Sequence, residues 1–179
     1  MRNSIPLWLC LGLATAVDFY SFKANTITGS ELDLEELRGY VSLVVNVASE
    51  CGYTDSHYRQ LVQLQKELAD YKFHVLAFPC NQFGGQEPGN SFDILSKMGA
   101  NYDLNFQLFE KVDILGPDAH PAFQWLFKAS EEEPTWNFWK YLIGPDGQPI
   151  DAWGPDFLVD DIAGEVKSVV KRLGKREEL

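Results

Sequence analysis

An α/β domain with a central mixed β-sheet flanked by helices is predicted by three features of this 179-residue chain. Two short, nearly continuous apolar runs, residues 41–47 and 73–78, bracket a segment of helical periodicity. A later pair of strand signals is joined by the tight-turn dipeptide Asp146-Gly147. The chain ends on a segment whose apolar residues Val159, Ile162, Val166, Val169 and Leu173 keep helical spacing.

Taken in order, residues 18–28 alternate and predict a hairpin arm that turns at Gly29-Ser30. Residues 41–47 are β-branched and apolar almost throughout, the pattern of a strand covered on both faces. Tyr58, Leu61, Leu64 and Leu68 mark one helix face, and residues 73–78 repeat the buried-strand signal until Pro79 stops it. Strand, helix and strand form a βαβ unit, so the two strands should run parallel. Weaker helices are expected around Phe92, Leu95 and Met98 and around Phe123 and Leu126. Residues 136–143 read as a further strand returning through Asp146-Gly147 into residues 150–153, which puts an antiparallel hairpin at the sheet edge. Asp156 is the expected cap of the last helix. A central mixed sheet flanked by helices is the thioredoxin-like arrangement.

Hydrophobic residues make up 45% and aromatic residues 13% of the chain, enough for one real core. Fifteen Lys and Arg against twenty-six Asp and Glu give a formal charge of −11. That balance excludes nucleic acid, anionic membrane surfaces and polyanionic substrates as natural partners. Arg2, the apolar stretch 5–13 and the small residues Ala14-Thr15-Ala16 read as a signal peptide over residues 1–16, cut before Val17. The stretch falls short of the ~20 residues that span a bilayer, so stable membrane insertion is not expected; an uncleaved anchor is the alternative. Residues 17–175 form the expected domain. The tail 176–179, Arg-Glu-Glu-Leu, resembles the Lys-Asp-Glu-Leu retention signal and differs at two places. Together the two ends predict residence in the endoplasmic reticulum lumen, or secretion if the tail is not read.

Of three cysteines, Cys10 leaves with the signal peptide, and Cys51 and Cys80 remain. Two cysteines in a domain of this size do not make a disulfide framework; they are a structural pair, inert thiols or reactive groups. Cys51 follows the first buried strand, and helix formation should begin near Thr54 or Asp55. Open α/β sheets bind ligands at such carboxyl ends of strands, and a helix N-terminus favours a thiolate. Glu50 opposes this if its carboxylate points inward, and an inert small hydrophobe is the alternative reading of Cys51. Residues 78–88 open onto the same sheet edge, with two adjacent glycines and the amides of Asn81, Gln82 and Gln86. In Pro134-Thr135-Trp136-Asn137-Phe138, Trp136 and Asn137 can reach one site only from a loop, because neighbours in a strand face opposite sides.

Thiolate attack on a peroxide leaves a sulfenic acid and an oxyanion that needs hydrogen bonds and a proton. Indole and amide N–H groups supply such bonds without adding charge. Asn46-Val47-Ala48-Ser49-Glu50-Cys51-Gly52, residues 78–87 and Trp136-Asn137-Phe138 resemble, in order and spacing, three signature blocks of the glutathione peroxidase family. The similarity covers roughly residues 18–173. The resemblance implies a thiol peroxidase with a tetrad of Cys51, Gln86, Trp136 and Asn137 and no cofactor.

Departures from the family pattern refine what it implies. The chalcogen is sulfur, and residues 91–106 lack the cysteine with which many cysteine-type members resolve the sulfenic acid. Cys80 is then the internal candidate for resolving Cys51, against a reading as a buried structural thiol. The two ends of the chain are similar to the endoplasmic reticulum branch, which implies protein disulfide isomerase-like dithiols as reductants. In the family's terms the resemblance to that branch also implies a monomer, lacking an assembly loop between the helix near Phe123 and Trp136. Weak use of glutathione is expected, because its carboxylates need a basic cluster and only Arg59 and Lys140 lie near the blocks, both expected in solvent.

Other chemistries fit less well. A cysteine hydrolase needs a histidine against Cys51, and His57, His74 and His120 carry no flanking motif. Cys51, Cys80 and His57 lack metal-ligand spacing. The substantial rival is a non-catalytic redox-sensing or chaperone-binding module that forms mixed disulfides through Cys51.

Overall fold

The structure, a computed structural model, describes residues 17–173. The signal-peptide and retention-tail expectations lie outside the described residues. The central sheet contains β3 (Val41–Val47), β4 (Phe73–Pro79), β5 (Gln107–Leu108), β6 (Lys140–Ile143) and β7 (Pro149–Trp153), in the order β5-β4-β3-β6-β7. β3 runs parallel to β4 in the register Val41 to Phe73 through Val47 to Pro79, as the βαβ pattern predicts. β6 is antiparallel to both β3 and β7, so the sheet is mixed with an antiparallel edge.

All seven residues of β3 are buried, because helices and loops cover both faces. Leu43, Val45 and Val47 pack into one core cluster, while Val44 turns into the other. β4 divides likewise, with Val75 and Ala77 on the first side and Leu76 and Phe78 on the second. This period-two division makes the sheet a partition between two hydrophobic layers.

Helices α1 (Thr54–Glu67), α2 (Ser91–Asn101) and α4 (Val159–Leu173) supply apolar residues to the first layer, and α3 (Pro121–Ser130) to the second. Tyr58, Leu61 and Leu64 of α1 are buried as their spacing predicts, each leucine contributing roughly 1.5–3 kcal/mol. On α2 the buried stripe is Ile94 and Met98, four apart, and Phe92 stands 76% exposed at the outer side of the first turn. α2 starts on a capping box in which Asn90 and Asp93 exchange side-chain bonds with each other's backbone N–H.

The N-terminal arm departs from a simple hairpin. Residues Phe19–Ser21 form a 3-10 turn capped by Asp18, and only β1 (Lys23–Asn25) and β2 (Glu31–Asp33) pair, in a small sheet of their own. Two further expectations are corrected. The expected strand 136–143 begins only at Lys140, because Trp136 to Phe138 form a turn ending on Phe138 at φ 66. Asp156 does not cap α4: its carboxylate accepts from the Tyr53 hydroxyl at 2.9 Å, and Asp161 accepts from Leu158 N at 2.8 Å instead.

Candidate active site

The turn between β3 and α1 carries Cys51 beside the first turn of the helix. Thr54 shapes it: its hydroxyl accepts from Cys51 N at 3.1 Å and donates to Ala48 O at 2.7 Å, while Thr54 N donates to Cys51 O. Cys51 is partly exposed and packs on the α1 side of the sheet. The opposing carboxylate considered for Glu50 is turned away; it pairs with Lys97 at 2.8 Å and is 52% exposed.

The loop after β4 reaches the same turn. Glu50 N donates to Gln86 O at 3.0 Å, tying the cysteine turn to Gln86 by backbone. Of the three amides in this loop, one serves the loop itself and one ties it to residues 114–115. Asn81 accepts from Glu87 N, and Gln82 accepts from Ile114 and Leu115 N while donating to Leu115 O. The Gln86 side chain instead accepts from Asn137 Nδ2 at 2.9 Å, which leaves its own NH₂ available as a donor. Gly84, at φ +66, sits where an added Cβ would lie 3.2 Å from Trp136 Cη2, so the glycine permits the indole's approach.

Trp136 and Asn137 do occupy the loop entering β6, the one placement from which both could serve a single site. Asn46 in β3 clamps that loop. Its amide donates to Trp136 O and accepts from Trp139 N, and its backbone O accepts from Phe138 N at 2.7 Å. Asn137 is fully buried and Trp136 37% exposed, at the rim of a cleft of about 530 Å³ formed with Tyr53, Trp139, Gly154, Asp156 and Phe157. The hydrogen bonds thus run from the Cys51 turn to Gln86, and from Gln86 to Asn137 beside Trp136.

Buried ionisable groups support these loops. Glu87 is fully buried, accepts from Ser49 Oγ at 2.5 Å, and has its carboxyl raised above the usual range mainly by burial. Lys140, expected in solvent, is fully buried, and burial lowers its amine to about 7. His57, also fully buried, is pushed down to about 4 by burial first and the nearby lysine second.

Cys80 is separated from Cys51 by the sheet. It packs with Phe78 in the layer opposite the one Cys51 touches, is 0% exposed, and has its thiol raised by burial. Both thiols are free.

A family model described as glutathione peroxidase matches residues 19–127. The chain belongs to the glutathione peroxidase family. It is 51% identical to "Glutathione peroxidase 7" of Bos taurus over 178 residues, covering 96% of each chain. The crystal structure of T. cruzi GPX1 aligns with 30% identity and a TM-score of 0.70, covering 90% of this chain and all of that one. A thioredoxin-family thiol:disulfide interchange protein from Chlorobium tepidum, 19% identical with a TM-score of 0.63 over 83% of this chain, shares the fold alone. As a glutathione peroxidase of thioredoxin-like fold, the chain is a peroxidase, an oxidoreductase.

Sequence reasoning missed Asn46, Thr54 and Lys140 as supports of the site. Asn46 is a polar residue within an otherwise apolar buried strand, and that break in the pattern is the signal that could have found it. Thr54 carries a cap-type hydroxyl three residues after Cys51. Lys140 has no such signal, since its burial depends on where Gly154 returns.

Proposed function

We propose that this peroxidase works through Cys51, with Gln86 and Trp136 as its hydrogen-bond donors and Asn137, whose amide donates to Phe83 O and to Gln86 Oε1, as the residue that orients Gln86. The observation that carries the reading is the Asn137 to Gln86 bond, which fixes the Gln86 amide in a loop whose backbone is tied to the turn bearing Cys51. The Cys51 thiolate attacks one peroxide oxygen, the O–O bond breaks, and the departing hydroxide or alkoxide takes a proton to leave water or alcohol. The sulfur then stands as a sulfenic acid. Neutral donors stabilise the negative charge that moves from sulfur to oxygen without trapping it on either.

An external dithiol of the protein disulfide isomerase type is the proposed reductant. One of its thiols condenses with the sulfenic acid, releasing water and forming a mixed disulfide. Its second thiol then displaces Cys51 and leaves as the oxidised disulfide. Cys80 supports this ordering: a buried thiol across the sheet can resolve Cys51 only after the segment following β4 opens. Glutathione is proposed as a poor substitute, because the cleft presents Asp156, while Lys97 and Arg59 are engaged with Glu50 and Asp55 and Lys140 is buried. The domain of residues 17–175 is proposed to act in the endoplasmic reticulum lumen, on the strength of the leader-like residues 1–16 and retention-like residues 176–179, and as a monomer, as the family resemblance implies. No helix among the described residues is long and apolar enough to cross a membrane.

Steady-state peroxide consumption with either reductant tests the assignment. Turnover should be sustained by a thioredoxin-like dithiol protein and weak with millimolar glutathione. A stable mixed disulfide with negligible turnover would instead favour a non-catalytic redox module.

A further inference from the structure

We propose that the Lys140 ammonium and the His57 imidazole form an internal positioning dyad that ties the loop bearing Trp136 and Asn137 to the first turn of α1, beside Cys51. The proposal rests on the peroxidase reading above and assigns two residues that do not themselves touch peroxide. Lys140 Nζ donates to Phe138 O at 2.7 Å and to Gly154 O at 2.9 Å, and lies 3.4 Å from His57 Nε2. His57 Nδ1 lies 3.1 Å from Tyr53 O. A carbonyl only accepts, so Nδ1 is assigned the proton and Nε2 its lone pair toward the lysine, with the Phe157 backbone a second neighbour of the ring. The ammonium therefore has three acceptors for three N–H groups.

No carboxylate touches this charge among the described contacts. The groups that face it are His57 and Tyr53 from α1 and its entry turn, and Asp156 and Asp161 from the segment that follows β7. Asp156 is occupied by the Tyr53 hydroxyl and Asp161 by Leu158 N, and both act on Lys140 only through space. A buried ammonium without a counter-ion is costly, and an apolar side chain of the same length would suit the core better. What the charge holds explains its presence. Phe138 adopts φ 66, a left-handed conformation that a bulky residue keeps only when its neighbours enforce it. Its N–H is held by Asn46 O, its carbonyl by Lys140, and its ring lies 4.7 Å from the His57 ring.

Deprotonation breaks the arrangement. A neutral amine carries a lone pair that must face one of three acceptors, and His57 cannot supply the missing proton without releasing Tyr53 O. The lysine is poised at about 7 and the histidine at about 4, so near neutral pH the lysine is the group that changes state. As pH rises through that value, one tether is lost and the Asn137 loop is freed relative to Cys51.

Single-turnover oxidation of Cys51 by hydrogen peroxide, followed from about pH 5.5 to about pH 9, tests this. The native protein should show a rate that bends downward with a midpoint near 7. Lys140→Met should be about tenfold slower at neutral pH and without the bend. An unchanged rate with the bend intact in Lys140→Met overturns the proposal. His57→Phe keeps a ring beside Phe138 but removes the third acceptor, so the bend should move to lower pH. An unmoved bend overturns the proposal even if Lys140→Met fails to fold. In Cys51→Ser protein the Trp136 indole N–H resonance should titrate with the same midpoint; a flat response overturns the dyad. Absent peroxide reduction by the native protein alongside that titration would instead discard the peroxidase reading and leave the dyad standing.

Discussion

Asn137 Nδ2 donates to Gln86 Oε1 across 2.9 Å, joining two segments 51 residues apart in the chain. Gln86 is in turn bound by backbone to the Cys51 turn through Glu50 N. The amide of Asn137 therefore orients that of Gln86, and the Gln86 NH₂ is left as a donor whose direction the protein has set in advance. Preorganised neutral donors of this kind are worth more in a partly dry site than in water, because no reorganisation is needed when charge moves.

Gln86→Ala should slow the reaction of Cys51 with peroxide by roughly a hundredfold, as loss of one positioned donor typically does. Asn137→Ala removes the orienting partner and should produce a similar loss, with the double variant far from additive. Stopped-flow measurement of the second-order rate constant checks both. Independent, additive effects would mean the two amides do not act as a unit.

Gly84 and Gly85 separate backbone strain from site geometry. Both have left-handed φ, +66 and +64, so alanine at either should cost about 1 kcal/mol. Only at Gly84 would the new Cβ press on Trp136; at Gly85 nothing lies within 4 Å. Gly84→Ala should therefore lower both melting temperature and peroxide rate, and Gly85→Ala the melting temperature alone. Calorimetry beside the rate assay distinguishes the two.

The buried Glu87 predicts a pH-dependent effect on stability. Its carboxyl is raised in the folded state, so the folded protein holds the proton more tightly than the unfolded chain. That contribution is fully present below the ordinary carboxylate range and is lost as pH rises through the raised value. Glu87→Gln, which keeps an acceptor for Ser49, should therefore melt higher than the native protein near neutral pH. The difference should shrink toward about pH 4, where both side chains are neutral. Melting curves at the two pH values check the sign.

Cys80 should react at least about a hundredfold more slowly than Cys51 with a maleimide in the folded protein, because it is fully buried and its thiol is raised. Mass spectrometry of briefly labelled protein measures this. In Cys80→Ser protein, turnover with an external dithiol should persist; loss of turnover would assign the resolving step to Cys80.

The buried frame was legible because it depends on local pattern. Residues 41–47 and 73–78 read as parallel strands since both faces are covered and nearly every position is apolar or small, Asn46 and His74 being the exceptions. Cys51 was legible as a candidate from its place between a buried strand and a helix, whereas Gln86, Trp136 and Asn137 were legible as its partners only through three blocks whose order and spacing resemble a family. Their contacts were not. The 136–139 turn reads as strand, because its aromatic composition favours one, and only the distant Asn46 clamp together with Phe138 at φ 66 explains why it bends. Lys140 reads as a solvated charge, since its carbonyl partner Gly154 arrives from beyond the hairpin. Asp156 reads as a helix cap until Tyr53, 103 residues earlier, takes its carboxylate. In each case a long-range contact overrides the local preference.

The central claim is that peroxide oxidises Cys51. Rapid mixing of reduced protein with one equivalent of hydrogen peroxide, quenched and mapped by mass spectrometry with a sulfenic-acid probe, tests it most directly. The account predicts one sulfenic acid per chain at Cys51, released by an added dithiol, and no rapid peroxide consumption in Cys51→Ser. Consumption by Cys51→Ser at the native rate, or first oxidation at Cys80, would contradict it.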